Sequence, residues 1–116
     1  MQFETLTVWQ EARELTNMIY AMTRQGTFSK DFGLRDQIER ASVSCMSNIA
    51  EGYELRTRRQ RRAFLYIAKG SVGEVRSQLY VALDQGYIRQ DQFDQTVELA
   101  TRISKRLASF IASIQS

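Results

Sequence analysis

Apolar residues recur at threes and fours through most of the chain, the spacing of helix faces turned toward a core. Val8, Ala12, Leu15, Ile19 and Met22 form the first stripe, in a helix predicted to start at Thr7. Thr7 and Gln10 have the capping-box spacing, a hydroxyl at the N-cap and Gln three residues on. Gly26 stands just past the end, where a C-cap glycine is expected. A second helix is predicted over residues 31–53, with Leu34, Ile38, Ala41, Cys45 and Ile49 on one face. A third begins near Thr57, where Thr57 and Gln60 repeat the capping-box spacing. It carries Phe64, Ala68, Val72 (with Ser71), Val75, Leu79 and Ala82, and stops at Gly86. The fourth starts near Asp91 as N-cap and runs through Phe93, Val97, Ala100, Ile103, Leu107, Ile111 and Ile114.

Proline is absent and no stretch alternates long enough to compete as a strand. Long helices on short links must run antiparallel, which gives an all-α, up-down-up-down four-helix bundle. The alternative has three helices, with the second and third continuous through Gly52. At 116 residues the chain makes one domain with one core.

The second helix is apolar on two sides. Val43, Met46, Ala50 and Tyr53 fall opposite its core stripe. A helix apolar on two faces is buried on two faces, so this stripe predicts an interface between copies; scattered surface apolar residues are the plainer alternative.

Charge adds a local feature. The segment YELRTRRQRRAF places Arg56, Arg58, Arg59, Arg61 and Arg62 within seven residues. Net charge is +3, and without these five arginines the chain carries −2, so the basicity belongs to one patch. On the wheel of the third helix, with Arg58 at zero, Arg62 lies at about 40°, Lys69 at about 20° and Arg76 near zero. Tyr66 and Tyr80 lie alongside, near 80° and 40°, while the core centres near 260°. The stripe from Arg58 to Arg76 spans ~27 Å at the helical rise, enough to meet several phosphates. Arginines in a first turn oppose the positive end of the helix dipole, and an anion there would relieve the repulsion and satisfy free N–H groups. The guanidinium fork suits phosphate. Three readings stay open: a nucleic-acid backbone, an acidic protein partner, or arginines that are solvated or paired with Glu51, Glu54 or another copy.

Several chemistries lack their residues. Without histidine there is no histidine general base and no histidine metal site, and one cysteine cannot build a zinc site or a disulfide. No phosphate-binding glycine loop is present; Gly70-Ser71-Val72-Gly73 sits inside a helical pattern and reads as small residues for close helix packing. Glu51 with Glu74 is the one carboxylate pairing to watch. No enzymatic activity, metal or cofactor is expected. No apolar run reaches membrane length, and the first dozen residues are too polar for a signal peptide, so a cytoplasmic protein is expected.

Ser47-Asn48-Ile49-Ala50-Glu51-Gly52-Tyr53 and Phe64-Leu65-Tyr66-Ile67-Ala68-Lys69-Gly70-Ser71-Val72-Gly73-Glu74-Val75 form a distinctive pair. With Phe3-Glu4, Leu6, Val8-Trp9-Gln10 and Gly86-Tyr87-Ile88, they resemble the four-helix-bundle family encoded in intervening sequences of bacterial 23S ribosomal RNA genes. The resemblance covers almost the whole chain and implies an antiparallel bundle assembled as a ring-like homopentamer. A related bundle, the accessory variability protein of diversity-generating retroelements, binds nucleic acid and a reverse transcriptase. The resemblance thus implies a nucleic-acid-binding accessory protein, although nothing in the residues points to a retroelement partner. Asn48, Glu51, Gly52, Ser71 and Glu74 match motif positions. Cys45-Met46 departs from the Ile-Pro pair of many members, so the second helix should lack a proline kink.

Overall fold

Helix ends follow from which residues can satisfy free backbone groups. The computed structural model describes residues 2–55 and 57–114, so Arg56 lies outside the described residues. It contains α1 (Thr7–Thr23), α2 (Phe32–Glu54), α3 (Arg58–Asp84) and α4 (Gln90–Ser113), with short 3₁₀ turns at Phe3–Thr5 and Gly26–Lys30. The helices pack α1 on α2, α2 on α3, α3 on α4 and α4 back on α1, as an antiparallel bundle. Its extents are 45 × 21 × 21 Å. The chain turns extended at Leu55 (φ −76°, ψ 149°) and Thr57 (φ −91°, ψ 144°), so α2 and α3 are separate helices.

Asp31 caps α2 by accepting from the Leu34 N–H at 3.1 Å. Thr57 caps α3 by accepting from the Gln60 N–H at 3.2 Å. At the far end of α3, Gly86 takes φ 75° while its N–H reaches Leu83 O (3.0 Å) and that of Tyr87 reaches Ala82 O (2.9 Å). This is a Schellman closure, and its left-handed residue requires glycine.

Three expected boundaries differ for local reasons. Leu6, which has no capping oxygen, is the N-cap of α1; Thr7 is already helical, and the Gln10 amide donates to Glu4 O at 2.9 Å instead. α1 stops at Thr23, and Gly26 uses its φ of 53° to start the following 3₁₀ turn rather than to cap the helix. α4 begins before Asp91, whose carboxylate accepts from Arg89 Nε at 3.0 Å. That bond, with the guanidinium's charge, holds the Asp91 carboxyl below its usual range. The Arg89 N–H is capped by Gln92 Oε1 at 2.9 Å.

The core is made of Leu15, Ile19, Ile38, Ile49, Leu65, Leu79, Ile103 and Leu107, all fully buried, with smaller residues between them. Each such side chain contributes ~1.5–3 kcal/mol by leaving water. Leu65 takes the core position expected of Phe64, which is only half-buried.

The α2–α3 seam is built on small residues. A Cβ on Gly52 would stand 3.2 Å from Leu65 Cγ and 3.3 Å from Arg61 O. Further along, the Ser44 and Ser71 hydroxyls share a bond at 2.9 Å, and Asn48 Nδ2 donates to Ser44 O (2.8 Å) and Oγ (3.1 Å). α1 is tied to α2 by Thr23 Oγ1 donating to Glu39 Oε2 at 2.6 Å. It is tied to α4 by Glu11, ion-paired with Arg102 (3.0 Å) and Arg106 (2.6 Å). Tyr87 closes the opposite end from the α2–α3 link. Its ring stacks on Phe28 at 5.2 Å, and its hydroxyl donates to Asp31 Oδ2 at 2.8 Å.

Two measurements check this account. Asp31→Ala removes the α2 cap and should cost about 1 kcal/mol in urea unfolding; an unchanged midpoint would refute the cap. Burial pushes the Cys45 thiol up from 9.0 to about 12. Between these values the unfolded chain sheds a proton that the folded chain keeps. Stability should therefore fall as pH rises above 9, by at most about 1.4 kcal/mol per pH unit from this group. Urea titrations across that window should show the extra slope in the parent protein and its absence in Cys45→Ala.

Candidate nucleic-acid interface

The arginine-rich segment straddles the α2–α3 link, and its four described arginines leave the backbone in different directions. Arg58 and Arg59, in the first turn of α3, are exposed. No acidic residue shares that turn. Arg61 and Arg62 are half-buried. Arg61 Nε donates to Leu55 O at 2.6 Å, closing a carbonyl left free at the end of α2. Arg62 Nη1 donates to Ile114 O at 3.4 Å, at the C-cap of α4. These two arginines are partly clamps on helix ends, a role cations favour at the negative end of the dipole.

Lys69 and Arg76 continue the stripe and are also half-buried. Arg58, Arg62, Lys69 and Arg76 share the 0–40° meridian of α3, about 80–120° from the centre of its buried line. With Arg62 reaching Ile114 and the Tyr80 ring meeting Phe93 edge-on at 4.9 Å, this meridian is the shoulder facing α4. The stripe is therefore a groove edge rather than the outer crest of the helix. Arg76 Nε is hidden from solvent with no hydrogen-bond acceptor among the described residues. Tyr66 and Tyr80 are 59% and 56% exposed, which leaves aromatic faces beside the cations.

Pairing with upstream glutamates is not seen. The four ion pairs among the described residues join Arg35 to Asp36, Arg89 to Asp91, and Arg102 and Arg106 to Glu11. Neither Glu51 nor Glu54 joins one; both are exposed, as is Glu74. No group of three or more metal-ligating side chains occurs among the described residues. Nor is any helix among them long and apolar enough to cross a membrane.

The motif residues divide by position. Asn48, Gly52 and Ser71 build the α2–α3 seam, and Ser44, which sequence spacing gave no reason to single out, links two of them. Glu51 and Glu74 face solvent. Of the apolar residues expected to join copies, Val43 is 39% exposed. Met46 is half-buried and receives the Thr16 hydroxyl at 3.5 Å; Tyr53 is half-buried in a cleft with Arg61, Phe110 and Ile114; Ala50 is half-buried. The stripe therefore splits, with Met46 and Tyr53 turned back onto their own chain. Gly70 and Gly73 do not serve close packing within the chain, since a Cβ on either would meet nothing within 4 Å.

With this geometry in hand, likeness to other proteins is informative. No curated protein matches the chain. A solved structure from Bacteroides thetaiotaomicron, described as a protein of unknown function from the S23 ribosomal protein family, superposes with a TM-score of 0.84 at 25% identity, covering 92% of this chain and 100% of that one. The model of the family described as 23S rRNA-intervening sequence protein matches residues 4–109, the span that holds all four helix cores and both motif segments. The chain belongs to the 23S rRNA-intervening sequence protein family.

Proposed function

We propose that this protein is a non-enzymatic, self-associating bundle that binds nucleic-acid backbones along the α3 shoulder. The observation that carries this is the first turn of α3. Arg58 and Arg59 stand exposed at the positive end of a 27-residue helix, with no carboxylate in that turn and no ion pair among those described. Such an arrangement costs a few tenths of a kcal/mol per arginine in the free protein. A phosphate meets the guanidinium forks and the free N–H groups of the turn together. Lys69 and Arg76 extend the same shoulder, so a strand lying along it meets several cations in succession. No base-reading motif accompanies them, so recognition is of backbone charge. The copy number of five comes from the family resemblance alone.

Fluorescence anisotropy with labelled RNA and DNA across a salt series tests the reading. Binding at ~50 mM salt should weaken steeply as salt rises, with log K linear in log salt. Arg58→Gln with Lys69→Gln should flatten that slope by about 0.7–0.9 for each lost phosphate contact, with the fold unchanged. Absence of binding at low salt, or binding indifferent to salt, would remove the nucleic-acid reading and leave an acidic protein as the partner for this patch. Arg61 behaves differently because it also clamps Leu55. Arg61→Ala should cost roughly 1.5–3 kcal/mol in urea unfolding, while Arg58→Ala should stay within about 0.5.

A further inference from the structure

Aromatic rings share the basic shoulder of α3 rather than standing apart from it. In chain order the shoulder carries Arg58, Arg62, Tyr66, Lys69, Arg76 and Tyr80. At the helical rise these six span ~33 Å, and the two tyrosines stand ~21 Å apart. On the α3 wheel Tyr80 lies at about 40°, within the meridian of the cations, and Tyr66 at about 80°, on its outer margin. More than half of each tyrosine is exposed. Single exposed apolar residues are ordinary on a protein surface. Two rings alternating with cations along one strip form a pattern that phosphate binding alone does not call for.

The surroundings of the rings suit them for stacking. Tyr80 rests against the buried Phe93, with the ring planes at 67°. An edge-on partner steadies a ring and covers at most one of its faces. Tyr66 meets no other aromatic ring and no cation among the described residues. Between the two, at about 60°, lies Gly73, with Gly70 beside it at about 120°. A Cβ on either would meet nothing within 4 Å, so the helix backbone can be approached closely along this open crest. On the inner side Arg76 Nε has no acceptor among the described residues. A phosphate oxygen entering the groove between α3 and α4 would satisfy that donor.

We infer that the shoulder takes single-stranded nucleic acid, with bases stacked on Tyr66 and Tyr80 and the phosphates between them held by the cations. Such binding rests on the nucleic-acid reading proposed above and adds the strand form. A duplex keeps its base faces inside its own stack, so it offers these rings only groove edges and sugars. A single strand offers a π-face at every nucleotide, whatever its sequence. Charge alone favours the opposite order, because a duplex carries the denser charge. A site that met only phosphates would bind duplex at least as tightly as a single strand. Preference for strand form therefore separates stacking from charge.

Fluorescence anisotropy at ~50 mM salt compares oligo-dT, oligo-U and a dA·dT duplex, each about twelve nucleotides long. Both single strands should bind about fivefold tighter than the duplex, or more. Tyr66→Leu and Tyr80→Leu should each weaken single-strand binding about tenfold. Duplex binding and the salt slope should stay as they are, since neither change removes a phosphate contact. Tyr66→Phe keeps the ring and should bind like the parent. Tyr66→Trp should show emission quenched by oligo-dT beyond any change at Trp9 in the parent. Each variant alters an exposed side chain, so circular dichroism and light scattering should match the parent. Duplex binding as tight as single-strand binding, or single-strand binding indifferent to both leucine variants, would overturn the inference and leave backbone binding standing. Leucine variants that change the protein's mass in solution would assign the rings to protein contacts and overturn it as well. Absence of binding by all three probes would remove it together with the nucleic-acid reading.

Discussion

How closely α2 and α3 approach sets the geometry of everything else. Gly52 has no side chain, and its Cα faces Leu65 and the Arg61 carbonyl at distances a Cβ could only just enter. Ser44, Asn48 and Ser71 then zip the seam with short polar side chains rather than apolar ones. A small-residue seam of this kind lowers the interhelical distance and fixes register, because hydrogen bonds tolerate less sliding than apolar contacts do. The consequence is rotational. With α3 pinned at Gly52 and Ser71, its basic meridian must turn toward α4 and its glycine crest toward solvent.

That rotation explains why one arginine-rich segment serves several ends. Successive residues of a helix step about 100°. The four described arginines, Arg58, Arg59, Arg61 and Arg62, therefore cannot share one face, and they are sorted by azimuth. Arg61 and Arg62 swing back to the carbonyls of Leu55 and Ile114. Each clamp brings a cation to the negative end of a helix, where it stabilises. Arg58 and Arg59 stay at the positive end of α3, where they do not. The segment thus holds one stabilising and one destabilising placement of the same side chain within a single turn of chain. Only the second invites an external anion.

Much of this was legible in the sequence, for physical reasons that can be named. Period-three-and-four apolar spacing reports which side of a helix meets a core, so Ile38, Cys45, Ile49, Val72, Leu79, Ile103 and Leu107 were all foreseen as core and are buried. The cap that depends on one side chain, Thr57 at α3, had its oxygen where the pattern required, whereas Asp31, expected as the first helical residue, caps α2 instead. Caps that depend on competition were not legible. Asp91 looked like an N-cap but had Arg89 two residues away, and a charge-assisted bond outcompetes a cap. Phe64 and Leu65 could each have faced inward, and the Gly52 approach selected Leu65. The pairing of Glu11 with Arg102 and Arg106 joins residues some ninety positions apart and leaves no local trace.

The glycines mark where sequence reasoning and structure part most instructively. Gly70 and Gly73 read as packing residues, and the seam that needs small residues turned out to use Ser44, Gly52 and Ser71 instead. Ser71 sits one step from Gly70, so the two side chains point about 100° apart. A single short segment can therefore build an internal seam with one residue and floor an outer crest with its neighbours. Where a glycine relieves no internal clash and adopts an ordinary helical backbone, its conformational cost has no return within the chain. The burden then shifts to whatever approaches that crest from outside.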